Sequence, residues 1–576
     1  MDRKQAEKIL DETFSNSFNR DNFRNFIINL LKKSDQTKYI ENIKNIPLKY
    51  EDLINSFQRL VRYQDIDSNK IDVLIVNLKR EGSLYRARVA QRNFISEYLQ
   101  GKIIQDPPDA VLVAFYSVDS DIWRFSLVKI DYLFKEDNLG RIKVVKEFSP
   151  AKRWSFLVGK GEKIHTIKKR FINILENDDF YPTLKDLEEA FSVETVTEEF
   201  FNAYKYALEK VIQSIYKADY KNEDKTKYDQ DYDNYDKRHS FAQLLLSRIM
   251  FLYFLQRKGW FKWKDYSSDK NYIKNLWLKY KSYKRENNLG DVFYSKWLSS
   301  LFFGAFNKKS HYLDPDLPED IKESFRIMPF LNGGLFSKTE LDNLNFHVPD
   351  SIFEWLFEPD INEIKKGFLE TFNFTIDESL PVDVEVAVDP EMLGKVYESL
   401  IAEEERGKGG IFYTPRTEID FMCRLSLIEY LYNETNISKE KIIDFVFDPH
   451  NGVQEFSNDE LKLIEVKLSK VKIVDPAVGS GSFLVGMMNI LLDLHQEITK
   501  ILENREENLF ALKQRIILEN LYGVDVKDWA VMVAELRLWL SLVIETEEKY
   551  QDIYTKPLLP NFSFKIRQGD SLIQEV

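Results

Sequence analysis

The chain holds a single cysteine, Cys423, among 576 residues. That excludes an intramolecular disulfide and leaves too few thiolates for a zinc or iron–sulfur centre. No stretch reaches the roughly eighteen apolar residues that a membrane-spanning helix needs. The N-terminus, Met1-Asp2-Arg3-Lys4-Gln5, lacks the apolar core of a secretory leader, so the cytoplasm is the expected location. Basic charge is also in short supply: 81 Lys and Arg against 94 Asp and Glu give a formal charge of −13. The surface as a whole then attracts nucleic acid poorly, and any DNA-contacting face has to come from local basic clusters.

What is present suits a large folded protein. Hydrophobic residues make up 44% and aromatic residues 14% of the chain, enough for several cores, and no internal repeat is found. The length implies roughly three or four domains. Residues 1–190 read as an α/β domain. A helical lead-in (about 4–62) precedes the strand Val73–Val76, a basic helix from Ser83 to Leu99, and an antiparallel meander (111–117, 123–132, 141–148 and 154–158). Residues 191–402 read as a helical domain or connector. It has helices over Val193–Tyr216 and Phe241–Trp260, a charged loop over Lys217–Arg238, and a glycine turn at Asn332-Gly333-Gly334. From 403 to 576, after a charged linker over 403–410, strands near Ile473, Leu521 and Phe564 alternate with helices. That pattern predicts a doubly wound parallel sheet.

The richest stretch is Ile473-Val474-Asp475-Pro476-Ala477-Val478-Gly479-Ser480-Gly481-Ser482-Phe483-Leu484. An apolar strand runs into Asp475, then a turn with two glycines, then a helix. Glycine lets the backbone approach a ligand closely, and a helix start offers free N–H groups, so this is a nucleotide-binding geometry. The spacing is not that of the dinucleotide fingerprint, and no Lys-Ser/Thr ending marks a phosphate loop. A second apolar strand, Leu521 to Asp525, ends in an acid that can accept hydrogen bonds from two hydroxyls. Two more segments stand out: Phe412-Tyr413-Thr414-Pro415 before a helix, and Gln568-Gly569-Asp570 after an apolar strand.

In that order these segments resemble the adenine-specific (N6) DNA methyltransferases of fused restriction–modification enzymes, often called type IIG. The segments Phe241–Phe261, 332–336 and Asp389-Pro390-Glu391-Met392-Leu393-Gly394 add to the resemblance, which is good over 190–576 and looser over 60–180. It implies S-adenosylmethionine as cofactor, held by Phe412, Tyr413, Thr414, Pro415, Asp475, Pro476, Ala477, Gly479, Gly481, Ser482, Phe483, Asp525, Val526 and Asp570. Within that set, Tyr413-Thr414-Pro415 faces the methionine part, Asp525 the ribose, and Val526 and Asp570 the adenine.

The family's catalytic tetrapeptide, Asn/Asp-Pro-Pro-Tyr/Phe, accepts hydrogen bonds from the target amine and stacks its aromatic ring on the flipped base. It is expected soon after Asp570 and does not appear before Val576. Asp106-Pro107-Pro108-Asp109 is far upstream, lacks the aromatic, and reads as a turn. The expectation is therefore a cofactor-binding half without a catalytic residue of its own. Its partners would be double-stranded DNA and a C-terminal half or specificity subunit supplying catalysis and target recognition, with no membrane involved.

In such enzymes a metal-dependent nuclease often comes first. The weak candidate here is Asp72 with Asn77 and Lys79, and Mg²⁺ enters only if that region is a nuclease. Two basic clusters are candidate DNA contacts. One spans Lys79 to Arg92 and includes Arg86, Arg88 and Arg92. The other, Arg141 to Arg170, sets ten basic residues against Glu147 and Glu162, a net charge of about +8, and ends in Lys168, Lys169 and Arg170. Two further readings stay open: a non-catalytic cofactor-binding module of a split enzyme, and an endonuclease with an N-terminal metal site.

Overall fold

A computed structural model of the chain describes residues 1–35, 39–43, 46–80, 84, 87–130, 132–136, 142–148, 151–217, 232–307, 313–331, 334–344, 346–359, 366–375, 383–392, 394–396, 414–505, 508–545 and 565–573. Two compact units emerge. The first is Met1–Phe200 with Glu370–Asn373 and Ser379–Val388; the second is Phe201–Leu369 with Phe374–Glu378 and Asp389–Val576.

The first unit opens with α1 (Arg3–Phe14) and α2 (Arg20–Leu31). Asp2 and Asn19 cap them by accepting from backbone N–H groups of the first turn. The helical lead-in expected to residue 62 stops at Leu31, and the chain turns into β1 (Ile40–Ile43) and β2 (Ile54–Gln64). The cause is visible in β2. Gln58, Arg59 and Arg62 look like the wet face of a helix, yet all three are buried. Both arginines reach Asp72 on β3 (Lys70–Leu78).

From β3, helix α3 (Arg88–Leu99) crosses to β4 (Ala110–Ser117), which pairs parallel to β3. β5 (Ile122–Lys129) follows antiparallel, and β6 (Tyr132–Glu136) and β7 (Ile142–Phe148) form a separate hairpin. β8 (Lys152–Gly159) pairs with β5, and β9 (Asp383–Glu385) adds a parallel edge from far along the chain. The sheet order is β1-β2-β3-β4-β5-β8-β9. The expected antiparallel meander is present in β4, β5 and β8, whereas β6 and β7 form a two-stranded sheet of their own, and the parallel pairings β3–β4 and β8–β9 make the whole sheet mixed.

Each sheet face has its own cover. Leu74, Val76, Val111, Val113 and Phe115 share a core with Phe94, Ile95 and Tyr98 of α3. On the other face Trp123 and Phe125 pack on Phe14, Phe23 and Phe26, joined by Phe171 of α4 (His165–Glu176). α5 (Leu184–Ala190) starts on a reciprocal Thr183–Asp186 capping box. α6 (Val193–Ser214) carries the chain into the second unit.

There α7 (Tyr232–Gln256) is buried nearly all round between Phe241 and Leu255, as an apolar helix without a wet face must be. Its Arg248 is satisfied by Asp342 at 2.6 Å and by the carbonyls of Leu335 and Ser337. α8 (Tyr272–Asn287), α9 (Glu319–Arg326) and α10 (Asp350–Phe357) follow, with Trp277 of α8 against Phe353 and Phe357 of α10. Residues 218–231 of the expected charged loop, the 403–410 linker, Asn332-Gly333 and residues 562–564 of the last expected strand lie outside the described residues.

Next come α11 (Arg416–Thr435), α12 (Lys439–Phe447) and α13 (Asn458–Lys470). β10 (Ile473–Asp475), α14 (Ser482–Glu503), α15 (Leu509–Glu519), β11 (Leu521–Asp525), α16 (Asp528–Glu545) and β12 (Ile566–Gln568) complete the unit. The three strands form a parallel sheet in the order β10-β11-β12, the expected α/β alternation.

Candidate functional site

Parallel pairing of Asp475 with Gly523, and of Asp525 with Gln568, brings the C-terminal ends of β10, β11 and β12 together. Ligands of open α/β sheets bind at such an end. The loop after β10 is folded by its own polar groups. Asp475 accepts from the Ala477 N–H at 3.1 Å, and Val478 donates to the Val524 carbonyl at 2.9 Å. Asp525 accepts from the Gly479 N–H at 2.8 Å and the Lys527 N–H at 2.9 Å.

Gly481 sits at φ 84°, and a Cβ there would lie 3.0 Å from the Ala534 Cβ. Both the left-handed backbone and the close approach of α16 require glycine. Gly481 ends the turn, and α14 begins at Ser482 with no side chain capping its first N–H groups. Ser482 and Phe483 form that first turn. Beyond β12, Asp570 accepts from the Leu572 N–H at 2.9 Å, and the Ser571 hydroxyl donates to the Pro476 carbonyl at 2.7 Å, tying the third strand end to the loop.

The electrostatics are those of an acceptor site. Burial pushes the Asp475 carboxyl above its ordinary value, and the nearby Asp525 charge adds to that. Pro476 and Ala477 are exposed beside them, as is Val526 (57%). Two carboxylates suit positive charge and hydroxyls on a ligand, the exposed apolar step a flat ring, and the uncapped helix start an anionic group. S-adenosylmethionine carries all four.

Two residues outside the expected set, Arg537 and Gly394, lie against the loop. Arg537, 2% exposed on α16, donates to the Ser480 carbonyl at 2.9 Å, the Ser480 hydroxyl at 3.2 Å and the Ser482 hydroxyl at 2.9 Å. Gly394 also lies against Ser480, where an added Cβ would come within 2.5 Å of the Ser480 Cβ. Arg416, at the start of α11, pairs with Asp389 at 2.8 Å and with Glu391. In the sequence Arg537 stands out as the lone base within Val531–Leu542, and Gly394 ends the Asp389–Gly394 segment that adds to the resemblance.

Pro415 precedes α11, as expected of a proline at a helix start, with Thr414 before it. One turn on, Ile419 and Cys423 meet α14 at Gly486, and the Cys423 thiol lies 3.8 Å from the Phe483 carbonyl. The helix that follows Thr414-Pro415 is therefore packed on the helix that follows the glycine loop. Burial pushes the Cys423 thiol up to about 12, which keeps it a neutral packing group. Phe412 and Tyr413 lie outside the described residues.

In the first unit two expectations need correcting. Asp72 is fully buried and accepts from Arg59 at 3.0 Å, Arg62 at 2.6 and 2.8 Å, and the Tyr98 hydroxyl at 2.8 Å. Its lone pairs are taken, so it is not placed to hold Mg²⁺. Among the described residues no group of three His, Cys, Asp or Glu side chains is arranged for a metal ion.

Arg88 and Arg92 do not form an outward basic face. Arg88 turns to Asp383 and Glu385, and burial pulls the Arg92 guanidinium below its ordinary value. Lys168 pairs with Asp11 at 2.5 Å and Lys169 with Glu199 at 2.9 Å, with Arg170 4.0 Å from the same carboxylate. Arg86 lies outside the described residues.

Residues 452–574 match the family model described as MmeI, DNA-methyltransferase domain. The resemblance to DNA methyltransferases stands. A protein of Methanocaldococcus jannaschii described as a type II restriction enzyme and methyltransferase is 32% identical over 357 residues, 59% of this chain and 28% of its own length. DNA methyltransferase A of Bacillus subtilis is 23% identical over 320 residues, 55% of this chain and 29% of its own. The adenine-specific methyltransferase PglX of Streptomyces coelicolor is 29% identical over 136 residues, 24% and 10% of the two chains. The chain spans less than a third of the length of each of these relatives.

Proposed function

We propose that this chain is the cofactor-binding part of an S-adenosylmethionine-dependent DNA adenine-N6 methyltransferase from a restriction–modification or related defence system. The observation that carries this reading is the loop from Asp475 to Phe483, closed onto Asp525, in a segment matching a DNA-methyltransferase domain. Bound S-adenosylmethionine supplies an electrophilic methyl group. Asp475 would accept from its ammonium group and Asp525 from its ribose hydroxyls, while the N–H groups at the start of α14 face its carboxylate. Val526 and Asp570 would border the adenine, and Thr414-Pro415 the methionine end.

Among the described residues we assign none to activating the adenine amine. Asp106, in the sole Asp-Pro-Pro, is held by Arg62 and Lys70. The proposal therefore assigns base activation and target recognition to residues outside this sequence, with double-stranded DNA as substrate. Among the described residues no helix is long and apolar enough to cross a membrane, and the proposed place of action is the cytoplasm.

Calorimetric titration with S-adenosylmethionine tests this reading. The parent chain is expected to bind. Asp475→Ala and Asp525→Ala should each weaken binding by about 10–100-fold, the worth of a hydrogen bond to a charged group. No binding by the parent chain, or equal binding by both variants, would remove the cofactor assignment.

A further inference from the structure

In the second unit a cleft of about 400 Å³ separates α8 from the start of α9, a size at which proteins hold ligands. Leu278, Ser282, Tyr283 and Glu286 make one wall, spread over two turns of α8, about 12 Å. Pro318, Asp320 and Ile321 make the other. The floor is Trp297, 2% exposed, with its ring centre 6.0 Å from that of Tyr283. Trp297 belongs to an unusual piece of backbone, because Phe293–Leu298 and Ser300–Ala305 are successive π-helices. Such winding is rare, mostly limited to single turns, and frequent at functional sites. Here the Ser299 hydroxyl donates to the Tyr294 carbonyl at 2.8 Å, and the Phe306 N–H donates to the Leu301 carbonyl at 3.1 Å.

The α8 wall is open to solvent: Leu278 is 44% exposed, and Ser282 and Glu286 are exposed. A small molecule is normally buried over most of its surface, so an open apolar slot suits a side chain delivered by a larger partner. The charges indicate which kind. Lys279 and Asp320 meet across the cleft at 3.6 Å, Lys296 pairs with Asp316, and Arg326 with Glu319 at 2.8 Å. Lys281 and Lys284 are taken by Glu358 and by Asp291 and Asp350. Among the described residues Glu286, Asp314 and Glu323 make no ion pair, and neither does Arg285, so unpaired acid exceeds unpaired base at the rim. A basic partner matches that excess.

We propose that this cleft docks a segment of a partner polypeptide that presents a bulky apolar side chain beside a basic residue. The apolar side chain enters between Leu278 and Ile321 onto Trp297, and the base meets Glu286. The test uses the full chain and two labelled synthetic peptides with a central Phe-Leu pair, flanked by arginines in one and by glutamates in its twin. Ser282→Trp fills the cleft from its exposed wall, and Glu286→Arg reverses the charge; both positions are exposed, so melting temperatures should stay at the parent's value.

Fluorescence anisotropy should show saturable binding of the arginine peptide to the parent chain, about tenfold or more tighter than that of its twin. Each variant should weaken it by about fivefold or more. Absent saturation, equal binding of the two peptides, or unchanged affinity in either variant would overturn the proposal. Displacement of the peptide by equimolar spermidine would give the cleft to a free amine instead. A labelled DNA duplex that loses affinity in Ser282→Trp while the peptide does not would give it to nucleic acid, and either result would equally remove the polypeptide partner.

Discussion

Asp475 and Asp525 end neighbouring parallel strands, so Asp475 loses part of its water and feels a second negative charge. A carboxyl whose value is raised on folding stabilises the fold below its ordinary titration range and loses that contribution as pH rises through the raised value. At pH 7–8 the ionised Asp475 is therefore a cost that the empty fold carries for its ligand. Asp475→Asn should raise the melting temperature at pH 7–8, and the gain should shrink as pH falls through the range, raised above the ordinary one, in which the parent's own carboxyl takes up its proton. The same variant should bind S-adenosylmethionine more weakly. A fall in both stability and affinity would make Asp475 a structural residue instead.

Asp383 shows the opposite sign. Burial alone would raise its carboxyl, but the charges of Arg153 and Arg88 outweigh that and hold it well below the usual carboxylate range. Its contribution is present above that range and lost as pH falls below it. Asp383→Ala should destabilise the fold by about 3–5 kcal/mol, read from urea midpoints at pH 7, because Arg153 is left buried without its main partner. The loss should shrink in acid.

At the scale of elements, the glycine loop was legible because its information is local: strand, turn and helix start lie within twelve consecutive residues, 473–484. What holds it was not legible, since Arg537 and Gly394 reach Ser480 across long separations. The same limit explains β2, whose Arg59 and Arg62 make sense only once Asp72 is known to pair with them. It also explains the basic cluster at Arg88 and Arg92, where a run of bases looks solvated until a distant strand supplies the acids.

Arg537 and Gly394 carry a joint prediction. Arg537→Lys keeps the charge but cannot span three acceptors, and Gly394→Ala pushes a methyl group onto Ser480. Each should weaken S-adenosylmethionine binding by about tenfold, roughly 1.4 kcal/mol, at a temperature where circular dichroism shows the fold intact. Unchanged affinity in both variants would mean that the loop holds its shape without them.

At the scale of the molecule, the cofactor sheet presents an open side. Among the described residues β10 has no strand beyond it, and Val474 on it is 63% exposed. Helix α11 exposes Phe421 (53%), Met422 (50%) and Leu425 (42%). An unpaired strand edge is a template for another chain, and exposed apolar side chains gain by being covered. The proposed function draws base activation from residues outside this sequence, which holds no Asn/Asp-Pro-Pro-aromatic tetrapeptide. Incubated with DNA and labelled S-adenosylmethionine, this chain alone should bind the cofactor and transfer no methyl group to adenine. A polypeptide carrying the tetrapeptide should restore transfer. Val474→Glu and Leu425→Asp should block that restoration while leaving the affinity for S-adenosylmethionine within about twofold, since both side chains are solvent-exposed and each twofold is only about 0.4 kcal/mol. Labelled adenine from the chain alone would show that it activates the amine with groups of its own, and restoration undiminished in both variants would place the partner on another surface.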